Sequence, residues 1–305
     1  MVDAEREGRL SGAPVLLDPR RRRVVLITVA LALMMVISAV SGLNVALPDL
    51  ARSTGATQSQ LQWIVDAYTL VFAGLLLPAG ALGDRFGRKG ILLAGIGVFG
   101  SAAAVAFTVD SPGALVGLRA VMGVGAALVM PTTLSVITTS FPEEERGRAV
   151  GVWVGVAGGG AVIGMFGSAV LLEFFTWSSF FALNVGLAVV ALLGTLRFVP
   201  ASRDPNAPRL DPVGALLSLA GITALIYGII EGPVRGWADP LVIAGITGGL
   251  VALAGFVGWE LRRDGPMLDP RLFRLRGFGT GALSLTVQFF AAFGFFFIVL
   301  QYLQF

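Results

Sequence analysis

The sequence predicts an all-α, polytopic membrane protein. Three observations lead there. Of 305 residues, 55% are hydrophobic and only 13% charged, and the mean hydropathy is +0.83. A soluble domain carries roughly 25% charged residues, so this chain cannot coat a globular surface with charge. Its apolar residues gather in nine runs, each near the ~20 residues a helix needs to cross hydrocarbon. Its basic residues fall in alternate loops between those runs.

The elements follow in order. Residues 1–23 form a polar tail ending in Arg20-Arg21-Arg22-Arg23. The next run, Val24–Leu47, is too long for the apolar region of a secretory leader and reads as a retained helix. Four adjacent arginines could hold anionic lipid or nucleic acid; their place before a span makes them a topology anchor, and no nucleic-acid partner is expected. Leu61–Leu82 and Ile91–Thr108 flank a short charged turn. Ala114–Thr138, Ala149–Leu172 and Ser178–Leu196 complete a six-helix bundle over residues 24–198. A linker at 199–212, with Pro200, Pro205, Pro208 and Pro212, leads to two extra helices, Val213–Ile230 and Leu241–Trp259, within residues 213–260. An arginine-rich loop at 261–277 precedes the last run, Phe278–Phe305. Gly and Pro inside the runs are compatible with helix, because transmembrane helices tolerate both.

Counting by alternate loops, 19 Lys and Arg lie on one side, two (Arg52 and Arg235) lie on the other, and Arg119 alone lies within a run. The crowded side takes in Arg6, Arg9, Arg20 to Arg23, Arg85, Arg88, Lys89, Arg146, Arg148, Arg197, Arg203, Arg209 and five arginines after residue 260. By the positive-inside rule the N-terminus is cytoplasmic, in a multi-pass cell (inner) membrane protein. A missed or invented span would scramble the alternation from that point on. There is no Cys and no His. Disulfides, thiolate nucleophiles and Cys/His metal sites are thereby excluded, and any proton coupling must use carboxylates. No metal or cofactor is expected. No nucleophile–base pair stands out, so the chain is not read as an enzyme.

The turn Gly80-Ala81-Leu82-Gly83-Asp84-Arg85-Phe86-Gly87-Arg88-Lys89 resembles the pattern G-x-L-x-D-R-x-G-R-K between helices two and three of the major facilitator superfamily, and every fixed position matches. The resemblance implies two six-helix bundles with substrate held between them near the midplane. It also implies a conformational latch of Gly80, Asp84, Arg85, Gly87, Arg88 and Lys89 at the inner face. Asp84 would there meet a helix N-terminus of the second bundle, where the dipole favours an anion. The alternative is a basic turn that only sets topology. The order of runs resembles the fourteen-helix drug:proton antiporter branch, in which two extra helices separate the bundles. The last run is then the first helix of a second bundle, incomplete here, and the chain is expected to be a fragment. A self-contained nine-helix protein is the alternative.

Further residues carry the resemblance. Arg119 begins Arg119-Ala120-Val121-Met122-Gly123-Val124-Gly125-Ala126, similar to the fourth-helix pattern R-x-x-x-G-x-G-A, whose arginine is linked to proton transfer. A charge within a span is a functional candidate; a structural arginine near the outer end is the other reading. Asp66 is the one carboxylate clearly inside a run, beside Gln62, Trp63, Thr69 and Leu70 by helical spacing. It is either a proton carrier or a vestibule residue. Ser41-Gly42-Leu43-Asn44-Val45-Ala46-Leu47-Pro48 resembles D-x-T-x-x-N-V-A-L-P, with Ala39 where the pattern has Asp. The loss puts coupling in doubt or moves it to Asp66. Asn44, Trp63 and Tyr68 are expected to line a substrate cavity, Asn44 having the alternative of an interhelical hydrogen bond. The strips Gly151-Gly155-Gly159 and Gly160-Gly164-Ser168 each lie on one helix face and are expected to pack against a neighbour. Around Gly164 to Ser168 the chain resembles the antiporter signature G-P-x-x-G-G, without its proline and second glycine.

Together these readings point to proton-driven export of lipophilic or cationic small molecules, with a small-molecule substrate, protons and the lipid bilayer as partners. An uncoupled facilitator of the same fold and a non-transporting membrane fragment or partner protein are the alternatives. Reporter fusions at Asp110 and Arg235 should read periplasmic, and fusions at Arg148, Arg209 and Arg271 cytoplasmic. Two loops on the wrong side would sink the nine-span topology.

Overall fold

In the computed structural model, residues 18–204 and 211–304 are described, the side chains at 292, 293 and 296–304 excepted. Arg6, Arg9, Arg209, Phe305, most of the 1–23 tail and part of the 199–212 linker lie outside that description. Among the described residues there are nine α-helices, one 3₁₀ helix and no strand. They are α1 (Pro19–Thr54), α2 (Gln58–Phe86), α3 (Arg88–Ala106), α4 (Pro112–Ser140), α5 (Glu143–Phe174), α6 (Ser179–Phe198), α7 (Pro212–Arg235), α8 (Pro240–Glu260), a 3₁₀ helix (Pro270–Arg274) and α9 (Arg276–Gln304). The first eight are long and apolar enough to cross a membrane, and a 29-residue helix occupies the ninth predicted run.

The helices run longer than the apolar runs because polar residues extend them past the hydrocarbon. α1 is 36 residues long, starts at Pro19 and takes in the whole arginine run. It ends at Gly55, which takes the left-handed conformation (φ 66°) and returns its N–H to Ala51. α2 opens with a reciprocal capping box between Thr57 and Gln60. Proline at the first position, where its missing N–H costs no hydrogen bond, opens α4, α7 and α8. Glu143, Glu144 and Glu145 fill the first turn of α5, complementing the positive end of the dipole. The turn between α2 and α3 is tighter than the sequence implies. Gly80 to Phe86 stay helical, and Gly87 alone leaves the helix.

α4 lies at the centre, packed on α1, α2, α3 and α5, while α1 also packs on α5 and α6. The main hydrophobic core draws only on α1 to α6 and their connections, from Val25 to Val199. α7 and α8 pack on each other as a hairpin, and α7 also packs on α2. α9 packs on the 3₁₀ helix. Arg22 of α1 pairs with Glu145 of α5 at 3.0 Å, and Lys89 of α3 donates to the carbonyl of Leu196 in α6 at 2.8 Å. The arginine-rich ends of these four helices therefore lie together, at what is called the basic end below.

Only one of the two small-residue strips packs, which corrects the sequence expectation. A Cβ on Gly164 would come within 2.7 Å of Ser38 Cα and Ser41 Oγ of α1, so α1 and α5 approach almost backbone to backbone there. Gly160 faces Met34 and Ile37 of the same helix. Around Gly151, Gly155 and Gly159 a Cβ would meet nothing within 4 Å. Spacing of four aligns residues on a face but does not say which face finds a neighbour. Gly164→Leu should therefore overpack the α1–α5 contact at ~1–3 kcal/mol or more, while Gly155→Leu should stay within ~0.5 kcal/mol of the parent. Thermal unfolding in detergent checks this, and equal effects at the two sites would contradict the packing.

Candidate functional site

The turn at the basic end is a network rather than a loose loop. Gly87 has φ +107°, a region L side chains rarely adopt, and it folds the start of α3 back onto the last turn of α2. Arg88 donates to Asp84 Oδ1 from Nη2 at 2.9 Å and from Nε at 3.0 Å. Ser135 of α4 donates to the same carboxylate oxygen at 2.9 Å and accepts from Arg88 Nε. The Arg88 N–H donates to the carbonyl of Ser202 at 2.9 Å, and the Asp204 N–H donates to the carbonyl of Asp84 at 3.0 Å. Asp84 thus joins α2, α3, α4 and the segment after α6. The resemblance implies a second-bundle helix end as the partner of Asp84; within this chain its carboxylate is already engaged, though its side chain is still 41% exposed. Gly80 lies against Pro131 of α4. Arg85 is exposed, with its guanidinium 6.0 Å from the Phe86 ring centroid.

Arg119 occupies the centre of the bundle and is fully buried. Its Nε donates to the carbonyl of Ile64 at 3.0 Å, and its guanidinium carbon lies 4.3 Å from the Tyr68 ring centroid. Nη1 and Nη2 have no hydrogen-bond partner. The aromatic face, with its negative quadrupole, takes the place of a counterion. Tyr68 is held in turn by its hydroxyl, which donates to the carbonyl of Val36 at 2.9 Å, and by packing on Phe72 and Phe99. Tyr68 is completely buried, so it does not line an open cavity as expected. Its ring fills the space between α1, α3 and α4 that holds Arg119.

Asp66 and Arg119 are not brought together. At 100° per residue, Asp66 lies about 160° around α2 from Ile64 and about 60° from Trp63. Trp63 and Gly74 form the stripe that meets α7: the Trp63 ring lies 6.1 Å from the Tyr227 ring, and Gly74 touches Leu219 and Thr223. Asp66 is half-buried beside that stripe. Asn44 is exposed on α1, and its amide donates to its own helix at the Val40 carbonyl, 3.2 Å away. Ala39, where the resembling pattern has an acid, is fully buried in the core.

Other functional positions come from the fold alone. Ser135 stands 51 residues from Asp84, and a serine in an apolar helix carries no signal of that pairing. Tyr227 gains meaning only once α7 is known to lie on α2. Asn184 is legible as a polar residue within a span; it is fully buried and accepts from Ser38 of α1 at 3.3 Å. At the foot of the hairpin Asp211, Trp259, Glu260 and Arg263 form a further cluster, in which the two acids are buried.

Comparison with known proteins agrees with this architecture. The chain is 37% identical over 288 residues to the puromycin resistance protein pur8 of Streptomyces alboniger, covering 94% of this chain and 57% of that one. It is 33% identical over 286 residues to the multidrug resistance protein Stp of Mycobacterium tuberculosis, covering 93% and 53%. It is 34% identical over 287 residues to the multidrug efflux pump LfrA of Mycolicibacterium smegmatis, covering 94% and 57%. The chain spans about half the length of the curated relatives it matches. Among solved structures, the POT family transporter PepTSo superposes with a TM-score of 0.53 at 17% identity, over 80% of this chain and 53% of that one, a likeness of fold alone. The Major Facilitator Superfamily profile matches residues 29–304, and the chain belongs to that superfamily.

Proposed function

We propose that this chain forms the first bundle, the linker hairpin and the opening of the second bundle of a proton-driven exporter of lipophilic or cationic small molecules. It would belong to the fourteen-helix branch, with its basic end in the cytoplasm of an inner-membrane protein. The observation that carries the proposal is the helix order: six helices around one core, then a hairpin outside that core, then a further helix. Relatives described as resistance proteins and efflux pumps match across this same stretch. In the cycle, the Asp84–Arg88–Ser135 network is the latch at the inner face, remaking its contacts as the bundles rock. Asp66 carries the proton: it is a half-buried carboxylate within a span, on the face of α2 away from Arg119. Arg119 acts through position, tying α4 to the backbone and Tyr68 of α2 so that the two helices move together. Asn44 and Trp63, exposed and half-buried, are the remaining cavity candidates.

In the whole exporter, Asp66→Asn should lower export driven by a pH gradient about tenfold or more while leaving substrate binding near normal. Proton flux and drug flux in proteoliposomes provide the measurement, and unchanged pH dependence would return Asp66 to the vestibule. Arg119→Met removes an unpaired buried cation; it should keep or raise thermal stability yet impair export. A second reading is favoured by Ala39, which stands where the resembling pattern has its acid. An uncoupled facilitator of the same fold would move substrate with no proton flux, and the same proteoliposomes separate the two.

A further inference from the structure

The cluster at the foot of the α7–α8 hairpin contains a buried charge problem that its hydrogen bonds do not solve. Asp211 caps α7 and is only 3% exposed, and Glu260, the last residue of α8, is 1% exposed. Asp211 Oδ1 accepts from the Gly214 N–H at 2.9 Å and pairs with Arg263 Nη1 at 3.2 Å. Its Oδ2 accepts from the Trp259 indole N–H at 2.9 Å. Glu260 Oε2 accepts from the Met267 N–H at 2.8 Å, which holds the segment after α8 against the hairpin. Glu260 Oε1 is buried and has no hydrogen-bond partner. Gly214 separates the two acids. A Cβ on it would come 2.6 Å from Asp211 Oδ2 and 2.7 Å from Glu260 Oε1, so both oxygens border one small space.

Among the described residues, the charged groups facing Glu260 are Asp211 and Arg263, and the backbone of Leu268, like that of Met267, also donates toward its carboxylate; the guanidinium pairs with Asp211. Among the described residues the cluster sets two carboxylates against one guanidinium, and Glu260 Oε1 is shielded from water without a hydrogen-bond donor. An isolated buried carboxylate is costly and neutralises where it can. Among the described residues no group of three acidic side chains gathers to hold a metal ion. One further proton removes the charge.

We propose that Asp211 and Glu260 form a proton-binding site, in which Glu260 takes a proton from solvent on Oε1 and turns it toward Asp211 Oδ2. With the proton bound, the hairpin foot and residues 261–267 dock as one unit. As pH rises and the proton leaves, the two carboxylates repel and the Met267 contact loosens. The site lies on the linker hairpin and does not depend on the transport reading.

Two readouts test it on the full chain in lipid nanodiscs. In infrared difference spectra between about pH 5 and about pH 9, a span that covers a buried Glu, the wild type should lose a protonated-carboxyl C=O stretch that Glu260→Gln lacks. A chain retaining Trp259 as its one tryptophan should show acrylamide quenching that rises at least about twofold over that range, because the indole is the donor to Asp211. Glu260→Gln should abolish that rise. The proposal is overturned if Glu260→Gln leaves the carboxyl band of the wild type undiminished, if the wild type is flat in both readouts, or if the transition follows Na⁺ or K⁺ concentration instead of pH. Because the infrared band reports protonation directly, a variant with altered packing still gives a decisive answer.

Discussion

Close approach of helix backbones is the constraint from which the rest of this structure follows. Lipid tails are as apolar as the side chains they meet, so the hydrophobic effect that gathers soluble cores gives little force between membrane helices. Packing contacts must supply it, and they require small residues. α4 shows how. A Cβ on Gly123 would fall 2.6 Å from the Tyr68 carbonyl of α2, and one on Gly125 would fall 2.7 Å from the Gly95 carbonyl of α3. Two residues apart, these glycines admit two neighbouring helices on different sides of α4. Arg119 is one turn before Gly123, so the same approach that seats α2 brings the guanidinium within reach of the Ile64 carbonyl and the Tyr68 ring. The buried arginine is thus a consequence of the glycine contact as much as a feature beside it.

The hairpin repeats the device independently. Gly249 of α8 would place a Cβ 2.6 Å from the Leu225 N of α7, and Gly228 of α7 would place one 2.9 Å from the Ile246 N of α8. This pair therefore has its own backbone-close contact and needs no share of the main core. Its attachment to the bundle runs through α2, at Gly74 below and Trp63 above. α2 is accordingly contacted on one side by α4 and on another by α7, with Asp66 beside the second contact. Any motion of α2 relative to α4 is felt by the hairpin, which gives an otherwise peripheral pair of helices a mechanical tie to the candidate site.

How much of this was legible follows from what each signal measures. Run length and alternating charge report on the bilayer, and the bilayer acts on every helix alike, so the helices were all visible. That Asp84 and Arg88 belong to one charged turn was legible from the motif; that they pair with each other is supplied by the fold. Partners across helices were not legible. Nothing near Asp84 names Ser135, and nothing near Trp63 names Tyr227. The two glycine strips of α5 look equivalent in sequence, yet Gly164 is pressed against Ser38 while Gly155 meets nothing. Tyr68, expected in the cavity, spends its hydroxyl on the Val36 carbonyl and has its ring buried. In each case the missing information is the rotation of one helix against another, which hydropathy does not encode.

The charges that the fold engages divide by how they are met, and the division tracks position along the bundle. At the basic end Asp84 has Arg88 and a serine, and Asp211 has Arg263, an indole and a backbone N–H. These groups lie at helix ends, where caps, loops and long cationic side chains supply donors. Arg119 lies within a span, where none of these is at hand, and is met by one carbonyl and a ring face. Ion pairs in such a place suffer a desolvation penalty that their attraction repays only with fitting geometry. A π face asks for no second charge to be stripped of water, but it returns only about 2 kcal/mol when desolvated, so the lone cation over Tyr68, with Nη1 and Nη2 unpartnered, remains a costly group that the packing of α2 on α4 has to hold in place.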